Sequence, residues 1–418
     1  MQESPTLHIA LPALNEWETL PATLDCIAKQ NYPKVQTWIC VNQPDNWWND
    51  PDKKEVCRNN QKTLAFLAQW KESPLHIIDK ASPGLGWIGK SHGVGQARKT
   101  IMDTIASQVG ESDIIVSLDA DTRFDSGYLK SVNAIFSAYP KALALSNPYY
   151  HQLTGDEVLD RAMLRYEIYM RYYANNMWRI SSPYCFTALG SAIAIPVSTY
   201  RKVGGLTAKK SGEDFYFLQK IRKAGWIAQH NPEVVWPATR YSDRVYFGTG
   251  PALIKGSLGI WNSYPIYDYK LFDTVGKTYE LFAELFHREL ETPMSAFLNA
   301  QFGEKDIFAP LRANYKDPKK FIDACHHKID GLRVLQFLKH HQGLEPHSDE
   351  ENLMIFLRLF YADFYDTWEN STKRQFSFVS SPIALLNSIR DFLFEQESRI
   401  QQLDLHDAIT PKSEIRAF

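Results

Sequence analysis

Ile114-Ile115-Val116-Ser117-Leu118-Asp119-Ala120-Asp121-Thr122 is the stretch that decides the fold. A short apolar run rich in β-branched residues reads as a buried strand, and two carboxylates follow it at once. Working outward, the runs Leu7 to Leu11, Thr37 to Val41, Leu75 to Ile78 and Ala142 to Leu145 read as further buried strands. Helical patterns lie between them at Thr19 to Lys29, Gln61 to Trp70, Ser91 to Ala106 and Gly127 to Ala138. This alternation predicts an α/β fold, a mainly parallel sheet covered on both faces, with ligands in the crevice at the strands' carboxyl ends.

After Pro265 the turn residues thin out and longer helical patterns take over, at Tyr279 to Leu290, Pro318 to His340, Glu350 to Trp368 and Pro382 to Gln402. The expectation is therefore an α/β catalytic domain over 1–260 and a mainly helical C-terminal region over 261–418. The aromatic series Phe356, Phe360, Tyr361, Phe364, Tyr365, Trp368 has near-helical spacing. It reads as a core stripe, with a lipid-facing surface as the alternative.

Apolar residues at 44% and charged residues at 22% are ordinary for a globular protein. The formal charge of −2 argues against the broad basic footprint of a nucleic-acid binder. The five cysteines, Cys26, Cys40, Cys57, Cys185 and Cys325, are scattered and odd in number. Free thiols in a reducing cytoplasm are the simplest account. The N-terminus lacks the pattern of a signal peptide, and no stretch reaches the roughly 20 apolar residues that span a bilayer. The expected location is cytoplasmic, compatible with peripheral contact at the inner face of a membrane.

Three motifs carry chemistry. The first strand runs into Leu11-Pro12-Ala13-Leu14-Asn15-Glu16, where an Asn/Glu pair at a strand end can hydrogen-bond a nucleobase or ribose. Pro and Asn are also ordinary turn formers. The pair Asp119 and Asp121 can hold a hard divalent cation, Mn²⁺ or Mg²⁺, against a diphosphate; the plainer alternative is an Asx-type turn with solvated acids. Gly212-Glu213-Asp214 opens a helical pattern, so both acids are candidate catalytic groups or simply favourable helix-start residues.

Taken in order, Pro12 to Glu16, Asp119 to Asp121 and Gly212 to Asp214 resemble a family 2 glycosyltransferase over about the first 250 residues. Gln30-Asn31-Tyr32-Pro33 and Trp87-Ile88-Gly89-Lys90 are similar to segments of that family. The resemblance implies the GT-A fold, a nucleotide-diphosphate sugar donor, a saccharide or lipid-linked acceptor, and a Mn²⁺ or Mg²⁺ ion bridging the diphosphate. By motif it implies that Glu16 and either Asn42 or Asp45 contact the base, Asp119 the ribose and Asp121 the metal, with Asp119 beside it. It implies Asp214 as general base; the helix-start position keeps Asp214 ionised at neutral pH, and Glu213 beside it is placed to orient the acceptor or the segment around it. Inversion is the implied outcome, and a retaining GT-A transferase the alternative. The Gln-x-x-Arg-Trp signature of processive synthases is missing, which favours transfer of one sugar per encounter. The Asn42-Gln43-Pro44-Asp45 segment departs from the family pattern by leading into Trp47-Trp48.

A rival reading lies in Gly84-Leu85-Gly86-Trp87-Ile88-Gly89-Lys90-Ser91, which satisfies the P-loop pattern of a nucleotide hydrolase. Lys80-Ala81-Ser82-Pro83 separates it from its strand, and Trp87 fits a phosphate nest poorly. It also leaves Asn15, Glu16, Glu213 and Asp214 without roles, whereas the transferase reading uses Lys90 against the diphosphate. Arg98 and Lys99, in the next helix, are candidate phosphate contacts and read equally as a solvated helix face. Arg240 and Arg244 precede Phe247-Gly248-Thr249-Gly250, a polar segment suited to a lid over donor or acceptor. His92, His151 and His230 read as structural.

Overall fold

The computed structural model describes residues 4–90, 92–244, 248–342, 347–372 and 375–407. The chain divides into two compact units. The first comprises residues 1–163, 186–259 and 398–418, and the second 164–185 and 260–397. The border is thus not a single cut at residue 260. One helical segment before it belongs to the second unit, and a late segment returns to the first.

In the first unit a seven-stranded sheet is built from β1 (Leu7–Ala13), β2 (Val35–Asn42), β3 (Leu75–Lys80), β4 (Ile114–Ser117), β6 (Ala144–Ser146), β7 (Ile193–Pro196) and β8 (Ile227–Ala228). The order is β3-β2-β1-β4-β7-β6-β8, with only β7 antiparallel to its neighbours. β5 (Arg123–Phe124) and β9 (Val235–Trp236) form a separate antiparallel pair. All seven residues of β1 are buried, as expected for a central strand covered on both faces. In register, Ala10 of β1 lies opposite Ser117 of β4, so both chains leave the sheet at the same carboxyl edge.

The helices of this unit are α1 (Leu20–Ala28), α2 (Lys54–Leu67), α3 (Val94–Gln108), α4 (Tyr128–Ala138), α5 (Glu157–Arg179, whose residues from Leu164 belong to the second unit), α6 (Val197–Lys202), α7 (Glu213–Ala224) and α8 (Thr249–Ser257). Ala97, Ile101 and Ile105 of α3 and Phe217, Leu218 and Ile221 of α7 are buried against Ala10, Ile115, Ile193 and Ile195. Each Ile, Leu or Phe among them contributes about 1.5–3 kcal/mol when removed from water.

The second unit holds α9 (Tyr269–Glu280), α10 (Phe282–Leu285), α11 (Ser295–Phe302), α12 (Ala309–Asn314), α13 (Pro318–Lys328), α14 (Gly331–His341), α15 (Asp349–Phe360), α16 (Ala362–Thr372) and most of α17 (Ile383–Asp407). Three expected helices are shorter or displaced. Pro318 to His340 is broken because Asp330 accepts from the Arg333 amide and caps a new helix. Glu350 to Trp368 is broken at Tyr361, which leaves helical geometry with φ −144° and ψ 51°. The helix expected from Tyr279 starts instead at Tyr269, where the Asp268 side chain caps the Lys270 amide. The aromatic stripe packs inward: Phe356 and Trp368 are buried, and Phe364 stacks on Phe392 at 3.7 Å. Phe360 remains exposed.

α5 escaped the sequence reading because its interior carries charge. Glu167 and Arg171 are both buried and paired at 2.6 Å, and Arg171 also meets Glu397 at 2.7 Å. A charged residue on the inner face erases the apolar period by which a helix is recognised. No helix among the described residues is long and apolar enough to cross a membrane.

Candidate active site

The site forms where β1 and β4 end. After β4 the chain turns with the Thr122 amide donating to the Asp119 carbonyl at 3.1 Å, and Thr23 of α1 holds the Ala120 carbonyl at 3.0 Å. These bonds fix the turn that carries Asp119 and Asp121. After β1, Asn15 sits in the left-handed region at φ 58°, a conformation that Asn tolerates better than most residues. Its amide donates to Asn60 Oδ1 at 2.8 Å, and the Trp17 amide to Asn59 Oδ1 at 3.1 Å. Two buried asparagines of α2 therefore fix the loop that carries Glu16.

Two arginines knit these carboxylates together. Arg98, 2% exposed, donates from Nη2 to Asp119 Oδ1 at 2.7 Å and from Nε to Glu213 Oε1 at 3.1 Å. Its Nη1 binds Ser117 Oγ and the Gly190 carbonyl, the latter at 2.9 Å. Burial works against its charge, but Asp119 and Glu213 outweigh this and hold it firmly protonated. Arg98 is therefore turned inward and is not placed as a phosphate contact. It joins the turn after β4 to the start of α7.

Arg240 makes the second junction. It donates from Nε to Asp121 Oδ2 at 2.8 Å and from Nη2 to both oxygens of Glu16, at 2.7 and 2.8 Å. Arg244 donates to Glu16 as well, and to the Leu14 carbonyl at 2.8 Å. Glu16, 4% exposed, also accepts from Thr19 Oγ1 at 2.6 Å. Its carboxylate is thus committed to arginines and a hydroxyl rather than offered to a base.

Burial raises the Asp121 carboxyl to about 6, with Glu16 and Asp119 adding to the rise and Arg240 opposing it. Burial likewise raises Asp214 to about 7, reinforced by Glu213 and opposed by Arg98 and the Phe215 amide. This corrects the expectation that the helix start keeps Asp214 fully ionised at neutral pH. The dipole of α7 is outweighed by desolvation and by a neighbouring carboxylate.

Asn42 and Asp45 have structural duties. Asn42 donates to the Ala13 carbonyl at 2.9 Å and accepts from the Trp87 indole at 3.2 Å. Asp45 Oδ1 accepts from the amides of Gly84 and Gly86, at 2.8 and 3.4 Å. A Cβ at position 86 would lie 2.7 Å from the Asp45 backbone, so the approach requires glycine there. These amides are the donors that a P-loop would turn toward phosphate, and Asp45 already occupies them. Moreover α3 begins at Val94, beyond Lys90, which is exposed. Ser91 and Phe247, named in the P-loop and lid readings, lie outside the described residues.

Among the described residues no three His, Cys, Asp or Glu side chains converge as a closed metal site. The two aspartates nonetheless suit a hard cation that draws its other ligands from phosphate and water. Asp119 binds Arg98 through Oδ1 and Asp121 binds Arg240 through Oδ2, and neither Asp119 Oδ2 nor Asp121 Oδ1 is hydrogen-bonded by a described residue. Asp214 Oδ1 accepts from the Phe215 amide at 2.7 Å, and its Oδ2 is left in the same way.

No family model matches the chain, and no curated protein matches it. Among solved structures it is similar to Staphylococcus aureus TarS residues 1–349 in complex with UDP-GlcNAc, at 13% identity and a TM-score of 0.40, covering 94% of this chain and 92% of that one. The same protein in complex with UDP gives 12% identity and a TM-score of 0.38, covering 96% and 92%. The mannosyltransferase PcManGT from Pyrobaculum calidifontis, in complex with GDP-Man and Mn²⁺, gives 14% identity and a TM-score of 0.34, covering 95% and 88%.

The sequence reading missed Asn59, Asn60, Ser117 and Gly190. Only Ser117 carried a local signal, a hydroxyl closing the otherwise apolar run Ile114-Ile115-Val116. The positions of the others become meaningful only once α2 and the segment before β7 are folded against the two strand ends.

Proposed function

We propose that this chain is a glycosyltransferase of the GT-A kind that moves a sugar from a nucleotide-diphosphate sugar to an acceptor hydroxyl with the help of a divalent cation. The observation that carries the reading is the gathering of Glu16, Asp119, Asp121, Glu213 and Asp214 at the carboxyl ends of β1 and β4 and the start of α7, cross-linked by Arg98 and Arg240. Such acids in the crevice of a mainly parallel sheet are where a ligand is expected. The catalytic part lies within residues 1–260, and the helical remainder serves acceptor binding or support.

In this reading Asp119 and Asp121 would hold Mn²⁺ or Mg²⁺, which when bound would offer Lewis-acid stabilisation to the departing diphosphate. Asp214 accepts the proton of the attacking hydroxyl through Oδ2. A carboxylate poised near neutrality suits a general base, because it is ionised often enough to act and basic enough to pull. Glu213, locked to Arg98, sets the orientation of the helix start that carries Asp214. Attack from the face opposite the nucleotide inverts the anomeric centre in one displacement, which needs a single base.

The test is a thermal-shift panel with UDP, GDP and ATP, each with and without Mn²⁺. Stabilisation by UDP or GDP that requires Mn²⁺ supports the reading, since a ligand bound only by the folded state raises the melting temperature. Preference for ATP accompanied by its hydrolysis would instead support a nucleotide hydrolase.

A further inference from the structure

Arg240 and Arg244 already have complete electrostatic reasons to be where they are. Asp121 Oδ2 lies 2.5 Å from Arg240 Nη2 and 4.0 Å from Arg244 Nη2, while Glu16 is held by both arginines. Glu16 and Asp121 bring two negative charges into a poorly hydrated place, with side chains 4% and 14% exposed. The two guanidinium groups bring two positive charges. The four-residue cluster is neutral, and removing its cations would leave buried carboxylates bare, which is costly. Yet the arginine side chains are 30% and 27% exposed, so each keeps a side turned toward solvent.

A divalent cation arriving on Asp121 would meet two guanidinium groups on the same carboxylate. Like charges at such a distance repel strongly where water is scarce. A diphosphate arriving alone would find its best cationic partners engaged with Glu16 and Asp121. If both arrive, the cation takes over Asp121 and the planar forks of the arginines turn to phosphate oxygens, which they suit as well as they suit carboxylate.

We propose that Arg240 and Arg244 are the resident counter-cations of Asp121 and Glu16, which a divalent cation must displace from Asp121 and which then pass to the donor's diphosphate, so that cation and nucleotide bind with positive coupling. The inference rests on the transferase reading above. By linkage the coupling is reciprocal: each ligand tightens the other by the same factor.

The test is calorimetric titration of Mn²⁺ into the full chain, with and without saturating UDP or GDP, for the wild type and for Arg240→Gln, Arg240→Lys and Arg244→Gln. Without nucleotide, Arg240→Gln is expected to bind Mn²⁺ about 10-fold more tightly than the wild type, within the usual range of coupling factors. Arg240→Lys keeps the charge but loses the fork, so a several-fold gain there shows direct occupation of Asp121 rather than a general charge effect. Nucleotide is expected to raise wild-type Mn²⁺ affinity about 10-fold or more, and to do so far less in Arg240→Gln. Circular dichroism confirms folding, and Arg240→Lys carries the test should Arg240→Gln not fold. If both Arg240 variants bind Mn²⁺ no more tightly than a wild type that does bind it with nucleotide, the counter-cation role is overturned and the transferase reading stands. If no variant takes up Mn²⁺ with either nucleotide, the cation-dependent reading falls and the counter-cation role falls with it.

Discussion

The carbonyl of Gly190 accepts from the guanidinium of Arg98 at 2.9 Å, and a Cβ built on Gly190 would stand 2.4 Å from Arg98 Nη2. The segment before β7 is thus shaped to let one arginine reach Asp119 and Glu213 together.

Gly190→Ala is expected to force that arginine aside. Overpacking of this kind costs about 1–3 kcal/mol, seen as a lower denaturation midpoint. Turnover should fall more than stability alone explains, because both Asp119 and the start of α7 lose their common anchor. A variant with normal melting and normal turnover would show that Arg98 does not depend on this approach.

Asp121→Ala is expected to abolish the Mn²⁺-dependent part of nucleotide binding, and Asp119→Ala to weaken it less. Isothermal titration with UDP or GDP, with and without Mn²⁺, reads this directly. Equal affinity in the presence and absence of the cation in the wild type would remove both aspartates from that role.

For Asp214→Asn, turnover should drop by about 10²-fold or more, on the usual scale of general-base catalysis, while nucleotide-sugar affinity changes little. In the wild type, kcat should fall as pH drops below about 7, where the raised Asp214 carboxyl takes up its proton. The product should carry the anomeric configuration opposite to the donor's, as assigned by proton NMR. Retention would move the chain to the retaining alternative.

The same residue predicts a stability effect of opposite sense. Its folded value near 7 lies above the unfolded value of about 3.9, so the unfolded chain gives up the proton first. Its contribution to stability is therefore fully present below about pH 4 and is lost as pH rises through about 7. Asp214→Asn escapes that loss. The variant should outlast the wild type in urea at pH 8, by about 0.5–2 kcal/mol, the usual yield of a stabilising substitution, with a smaller margin at pH 5.

Asn60→Ala should loosen the loop that carries Glu16. It removes the acceptor of the Asn15 amide and the donor to Gln43 Oε1 at 2.8 Å. Loss of such buried partners costs about 1–3 kcal/mol. Nucleotide KM should rise more than kcat falls, since the loop is displaced while Asp214 is untouched.

The sheet and the crevice were legible because their signal is local. Ile114 to Ser117 and Leu7 to Ala13 are buried throughout and mostly apolar, and the acids at their ends stand out against that background. Arg98 was read as a phosphate contact or a solvated side chain, and it turns inward to Asp119 and Glu213. Nothing in Ala97-Arg98-Lys99 tells which of two adjacent cations faces inward, a matter settled by the helix face that packs on the sheet. Arg240 was read as leading into a lid over donor or acceptor, and its guanidinium is engaged by Glu16 and Asp121. More than a hundred residues separate Asp121 from Arg240, beyond the reach of any spacing rule. The charged interior of α5 hid its helix for the same reason: partners such as Glu397 lie far along the chain.

One consequence follows for how the chain is made. The first unit draws in residues from Ser398 onward, where Asp404 accepts from the Trp226 indole at 3.2 Å. Every acid and arginine of the site emerges from the ribosome well before that segment. At roughly 5–20 residues per second, the nascent α/β sheet must wait on the order of ten seconds for its last piece. During that interval it is an unfinished body, the stage at which a chaperone would have most to protect.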